Sequence, residues 1–292
     1  MTEEQVVADF VGRVAYNPKS EMNEDPKDAR IVMSRRRLVI AGEDDRTTIP
    51  LSKVVDIVVG NVPPHLRDLF DSTVTFGYKS DDGVETVLIE GDETTMSKFQ
   101  TVAFKSLLSG TKAKIKHPAR IGGRVVDSPV RKAKLTIEPE GVLFRTESGK
   151  TRIDITSVVE FQRTERSLNG TDGPTLLVTH ADQGEVSTSL IAPLSSRRLN
   201  LLGRFLRVEY SKLLEQARDI ELDGSQKRLL VTVYATDGDI DFGSVLGGDA
   251  ARATNVLNAL REKGLIEEGE SGISLTSIGQ IIVSQRLEDV NI

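Results

Sequence analysis

Ile49-Pro50-Leu51-Ser52-Lys53-Val54-Val55-Asp56-Ile57 reads again, 104 residues on, as Ile153-Asp154-Ile155-Thr156-Ser157-Val158-Val159-Glu160-Phe161. Only Ile49, Val54 and Val55 recur unchanged, but the apolar positions coincide. Working outward at the same offset, Ile31 falls on Leu135, Met33 on Ile137 and Val39 on Leu143. The offset then drops to 102, which a two-residue difference in one loop explains. From there Thr73 meets Thr175, Phe76 Val178, Val84 Val186, Thr86 Thr188, Leu88-Ile89 Leu190-Ile191, Phe99 Leu201, and Ala103-Phe104 Phe205-Leu206. Near the start, Phe10-Val11-Gly12-Arg13-Val14 is expected to recur as Ile121-Gly122-Gly123-Arg124-Val125. A period of about one hundred residues is that of a whole domain used twice.

Within each copy, apolar and polar residues alternate over short runs. The runs are broken by Gly42-Glu43-Asp44-Asp45, Asp81-Asp82-Gly83 and Glu147-Ser148-Gly149, the pattern of antiparallel strands joined by tight turns. Each copy ends in an amphipathic helix, with Thr94 or Thr95 as the expected cap of the first and Ser195 or Ser196 of the second. About seven strands and one closing helix resemble a pleckstrin-homology-like (PH-like) domain, a small, partly open β-barrel whose exposed end the helix closes. The fold class read here is α+β, with tandem PH-like domains over residues 1-110 and 111-218 whose closing helices should cover equivalent ends. The second helix keeps Leu199, Leu202, Leu206, Tyr210, Leu213 and Ala217 on one face over about 33 Å.

The third segment, 219-292, resembles a winged helix-turn-helix. It reads as a helix from Gln226 to Ala235, a short strand at Ile240 and Phe242, and a brief helix from Ser244 to Leu246. A longer helix then runs from Asp249 to Lys263 and is stopped by Gly264, before a hairpin and a last helix from Thr276 to Leu287. Its helices and hairpin are expected to supply their own core from about Gly224. Between Ser225 and Ile292, 6 basic residues face 10 acids, and the wing carries Glu267, Glu268 and Glu270. A phosphate backbone would repel that wing, so no DNA partner is expected.

Composition narrows the remainder. The 292 residues are 38% hydrophobic, enough for ordinary cores, and lack cysteine, which removes disulfides, thiol nucleophiles and Cys-ligated metals. A cysteine-free chain fits a reducing, cytoplasmic location. Thr2, Glu3 and Glu4 stand where a signal peptide needs basic residues, and no apolar run approaches the roughly 18 residues of a membrane span. Neither export nor membrane insertion is expected.

The search for chemistry finds no phosphate-binding glycine motif, nucleophile elbow or metalloprotease helix. His65, His117 and His180 stand far apart in sequence. Asp237, Asp239 and Asp241 mimic the start of a calcium loop, but Phe242 and Gly248 occupy positions that require glycine and glutamate. Asn169-Gly170-Thr171 reads as a loop rather than a glycosylation site. No enzyme activity, catalytic residue, metal, cofactor or small-molecule substrate is read from the chain.

One charge feature stands out in a chain of net charge −6. From Lys112 to Lys134 there are eight basic residues, Lys112, Lys114, Lys116, Arg120, Arg124, Arg131, Lys132 and Lys134, against the single acid Asp127. It reads either as a solvated junction between the repeats or as a docking strip for an acidic protein surface, with anionic lipid or nucleotide as lesser alternatives. Arg120, Arg124, Arg131, Lys132 and Lys134 are the candidate protein-binding residues, and Arg35-Arg36-Arg37 lies in a turn that could extend the strip.

Taken in order, Ala29-Arg30-Ile31-Val32-Met33-Ser34, Leu38-Val39-Ile40, Ile49-Pro50-Leu51, the tandem β domains and the segment from Gly264-Leu265-Ile266 to Leu275-Thr276-Ser277-Ile278-Gly279 resemble the archaeal taxis protein family CheF. The resemblance covers nearly the whole chain. It implies a non-enzymatic adaptor that links the chemotaxis response regulator CheY, preferentially phosphorylated, to the switch proteins of the archaellum and so controls swimming direction. No family motif assigns a partner to a residue. A rival reading is a transcriptional regulator whose winged helix binds DNA while the β domains sense a ligand. Another is a peripheral lipid-binding protein, disfavoured because no exposed aromatic anchor accompanies the basic residues.

Overall fold

The computed structural model describes residues 4–17, 26–60, 72–138, 141–182, 185–236, 245, 247, 249–269 and 272–283. Two compact units divide the chain. One comprises Met1–Thr111, Leu135–Pro139 and Leu194–Phe205, the other Lys112–Lys134, Glu140–Pro193 and Leu206–Ile292. The fold is mixed α+β, mostly antiparallel sheet with few helices.

The first unit carries β1 (Val6–Tyr16), β2 (Lys27–Ser34), β3 (Arg37–Ala41), β4 (Arg46–Pro50), β5 (Val54–Val59), β6 (Thr73–Lys79), β7 (Val84–Glu90) and α1 (Glu93–Leu108). The strands lie in the order β4-β3-β2-β1-β7-β6-β5. Period-2 alternation puts Ile31, Met33, Ile49, Ile57, Val74 and Phe76 wholly inside. Over this face α1 lays Met96, Phe99, Ala103, Phe104 and Leu107. The Phe99 ring meets Phe10 edge-on at 5.0 Å and Phe76 at 5.8 Å.

The second sheet holds β8 (Thr111–Ile121), β9 (Arg124–Val125), β10 (Arg131–Glu138), β11 (Gly141–Thr146), β12 (Gly149–Asp154), β13 (Val158–Leu168), β14 (Thr171–Asp182) and β15 (Glu185–Pro193). Its order is β12-β11-β10-β8-β15-β14-β13, with β9 paired to β8. A 3₁₀ turn at Ile155–Ser157 stands where Leu51–Lys53 joins β4 to β5. The two strand orders superimpose, and so does burial: Leu51 is 5% exposed and Ile155 6%, Val39 and Leu143 8% each.

Three expectations are corrected. Neither sheet closes into a barrel among the described residues, since β4 and β5 end the first path and β12 and β13 the second. At the corner between β4 and β5, Leu51 N donates to Arg36 O and Lys53 N to Pro50 O. The match of Phe10–Val14 to Ile121–Val125 also fails. Val14 pairs with Ile89 on β7 and Ile115 with Ile191 on β15, so Val14 corresponds to Ile115. Finally, α1 is capped by Asp92, whose Oδ1 accepts from Thr95 N at 2.9 Å, rather than by Thr94 or Thr95.

Helix α2 (Ser196–Arg218) begins after Ser195, whose carbonyl accepts from Leu199 N. Its first half belongs to the first unit, where Phe205 packs edge-on against Phe104 at 5.5 Å, while Tyr210 meets Phe161 at 5.8 Å in the second. The helix therefore does not simply repeat the role of α1.

Among the described residues the remaining elements are α3 (Gly224–Thr236), α4 (Ala250–Glu262), the hairpin β16 (Ile266–Gly269) with β17 (Gly272–Leu275), and α5 (Ser277–Ile282). The expected strand at Ile240 and Phe242, the calcium-like aspartates, the loop tip at Glu270 and Ser271, and residues beyond Val283 lie outside the described residues. Leu229, Leu230, Val233, Ala253, Leu260, Leu265, Leu275 and Ile282 form one core with Leu213 and Ala217 of α2. That core thus draws on chain before residue 219. Gly279 permits the packing of α5, because a Cβ there would lie 2.1 Å from the Leu265 carbonyl oxygen.

Candidate functional site

The basic strip occupies β8, β9 and β10 of the second unit. On β8, Ala113 and Ile115 point into the core, so Lys112, Lys114 and Lys116 take the opposite face. On the neighbouring β10, Ala133 is buried between exposed Lys132 and Lys134. Adjacent strands lie about 4.8 Å apart and alternate residues about 7 Å apart, so these five amines form a closely spaced lattice of like charge.

The arginines are distributed differently. Arg120 and Arg124 flank the β8–β9 hairpin, whose turn residues Gly122 and Gly123 both have positive φ (52° and 78°), the backbone a two-residue turn needs. Both arginines are exposed, beside Val125, which is 74% exposed. Arg131 opens β10 and is likewise exposed. The structure thus gathers Lys132 and Lys134 with the β8 lysines, while Arg120 and Arg124 form a cationic tip at the hairpin.

The repeat shows what is unusual here. In the first unit Arg13 faces Glu90 across β1 and β7 and forks onto it, Nε to Oε2 and Nη2 to Oε1, both at 3.0 Å. In the second unit the equivalent pair is Lys114 and Ala192, so the acid is missing. Elsewhere in the first unit Arg30 forks onto Asp9 at 2.8 and 2.7 Å and Arg37 meets Glu4 at 2.7 Å. Among the described residues none of the eight strip cations has a carboxylate partner. Lys114 Nζ donates instead to the neutral Leu168 carbonyl at 3.1 Å. The exposed pair Arg145 and Lys150, directly opposed on β11 and β12, adds like charge that the sequence reading passed over.

His117 and His180 are not scattered. Their rings stack at 5.5 Å, and Ser189 Oγ lies 2.8 Å from His117 Nδ1 and 3.0 Å from His180 Nε2. They sit on three adjacent strands, β8, β15 and β14, which a separation of 63 residues in sequence conceals. His180 and Ser189 are buried, and one hydroxyl can give its proton to one ring while accepting from the other, so the group is satisfied internally. His65 lies outside the described residues. Among the described residues no three His, Asp or Glu side chains come together as a metal site, and no helix is long and apolar enough to cross a membrane.

These residues define a duplicated β scaffold whose β8 to β10 cations have no carboxylate partner among the described residues. The family follows from comparison with known proteins. Residues 6–212 match the family model described as Archaeal Chemotaxis signal transduction system protein F, and the chain belongs to that family. It is 39% identical over 289 residues to Taxis protein CheF2 of Halobacterium salinarum, covering 99% of each chain. To Taxis protein CheF1 of the same organism it is 22% identical over 263 residues, 89% of this chain and 88% of that one. The chain is thus a homologue of archaeal taxis proteins, with a role in chemotaxis signalling.

Proposed function

We propose that this chain is a cytoplasmic, non-enzymatic adaptor that links the phosphorylated response regulator CheY to the switch proteins of the archaellum. Its domains would be two PH-like modules, 1-110 and 111-218, and a winged helix over 219-292. The shared strand order 4-3-2-1-7-6-5, each path followed by a helix, supports the first assignment. The helices and hairpin after Gly224 support the second.

The observation that carries the docking role is that Lys114 faces Ala192 where Arg13 faces Glu90, and that among the described residues none of the eight strip cations has a carboxylate partner. Response regulators carry acidic phosphorylation pockets, so an acidic surface meeting this face would be steered by long-range attraction. Arg120, Arg124 and Arg131 can fork onto carboxylates, and Lys132 and Lys134 supply diffuse charge. A signal refreshed within about a second requires release on that scale; with an association rate near 10⁶ M⁻¹s⁻¹ the dissociation constant is about 1 μM.

The DNA-binding alternative finds no support at α4. Arg252 donates to Ser225 Oγ, Arg261 to Glu268, and Lys263 to the Glu221 carbonyl, so its cations are engaged within the chain. A pull-down of CheY with and without a phosphoryl mimic tests the adaptor role. Capture that strengthens with the mimic supports it; micromolar binding of duplex DNA without capture of CheY would reverse the assignment.

A further inference from the structure

We propose that Arg197 and Arg198, in the first turn of α2, form a seat for an anionic group, a carboxylate or phosphoryl oxygen, supplied by another molecule. The seat lies in the first unit and is independent of the strip on the second.

Arg197 is fixed by neutral acceptors alone. Its Nη1 donates to the Ser52 carbonyl at 2.8 Å and its Nη2 to the Leu51 carbonyl at 2.7 Å, while its Nε is buried with no partner. Arg198 Nη1 is also buried and unpartnered, and neither guanidinium has a carboxylate among the described residues. A guanidinium carries five donors and a permanent charge, so partial burial without a counter-charge is costly. Both residues are only part-buried, so the pair is not sealed from solvent.

Two features add to the cost. The first turn of α2 has no acid, so both cations face the positive end of the helix dipole. Burial, and then the neighbouring Arg198 charge, push Arg197 below its usual range; burial alone does so for Arg198. The contrast within the repeat is direct, because α1 begins at Asp92 and Glu93 and has no cation in its first turn. Leu51, whose carbonyl holds Arg197, also donates its N–H to Arg36 O, which brings the Arg35–Arg36 turn next to the seat. Arg35 and Arg36 are exposed and extend the positive field. An anion arriving here would neutralise charge that the fold leaves uncompensated, while the two carbonyl bonds hold the Arg197 plane ready for it.

The test uses the full chain at constant ionic strength. Inorganic phosphate and succinate are titrated separately against a chloride control, and the unfolding temperature is followed. An anion that binds only the folded state raises it in a saturable way. The proposal expects such a rise with phosphate or succinate, and an apparent affinity about tenfold weaker in Arg198→Gln. In chloride alone, Arg198→Gln should unfold no earlier than the parent, because it removes an uncompensated charge; a structural arginine would give the opposite sign. Arg198→Lys, which keeps the charge but not the fork, should retain a reduced response and serves if the Gln variant does not fold. Reversing Arg120, Arg124 and Arg131 should leave the response intact, which separates the seat from the strip. A response to phosphate alone identifies a phosphoryl source, and a response to succinate a carboxylate. No rise over chloride with either anion, or an unaltered rise in Arg198→Gln, overturns the proposal.

Discussion

Asp92 shows how one side chain ties stability to pH. Its carboxylate accepts from Thr95 and adjoins Glu93 in the first turn of α1, and these hydrogen bonds, led by that from Thr95, hold it below the usual carboxylate range. A group whose pKa is depressed by folding stabilises the native state above its unfolded pKa, near 3.9, and the contribution fades as pH falls through the folded value. Asp92→Asn keeps a capping oxygen without a titrating charge, so urea midpoints between about pH 2 and 6 should vary less with pH than in the parent. Asp92→Ala should be destabilised across the whole range above the folded pKa. Equal pH dependence in parent and Asn variant would show that the charge is irrelevant to α1. Composition alone did not single out Asp92, because Asp92, Thr94 and Thr95 can all cap and only the backbone path decides among them.

At the scale of elements, the repeat was legible because burial requires apolar residues at fixed spacing whatever their identity. Ile31 and Leu135, Met33 and Ile137, and Ile49 and Ile153 are all buried. The failed match at Phe10–Val14 has a physical cause: Ile121-Gly122-Gly123-Arg124 looks like strand and is a turn, and glycines hide the difference until φ is known. A partly open barrel was legible, but not that both sheets keep free edges among the described residues, since closure depends on hydrogen bonds between edges that no single strand encodes. Phe99 and Leu201 are both buried, 2% and 0% exposed, although the half of α2 that carries Leu201 belongs to the first unit. Truncating either to Ala should cost about 2–5 kcal/mol in chemical denaturation. Phe99→Ala should sit toward the upper end, because it also abandons the Phe10 and Phe76 rings. A loss below about 1 kcal/mol at either position would show that the helix is not part of the core.

Across the whole molecule, the strip was legible as composition, but its pairing was not. Which cations lack a counter-charge became visible only when Lys114 was found opposite Ala192 and Arg13 opposite Glu90. The histidine pair and the arginine seat were hidden for the same reason, as both join residues distant in sequence. The C-terminal core reaches back to Leu213 and Ala217, so a fragment beginning at Leu206 should unfold cooperatively, while one beginning at Gly224 should show a broadened transition and exposed apolar surface. Identical sharp transitions from both fragments would place the boundary at Gly224 after all.

The central claim is that the unpaired cations of β8 to β10 dock an acidic partner. Its most direct test is a titration of phosphorylated CheY against the parent and a variant with Arg120, Arg124 and Arg131 all changed to Glu, at low and high salt. The exposed positions predict an unaltered fold. Affinity should fall at least tenfold at low salt, about 1.4 kcal/mol, chiefly through the association rate, with the gap narrowing as salt screens the charges. Unchanged binding at low ionic strength, in a variant shown to be folded, would contradict the claim and leave the strip a solvated junction between the repeats.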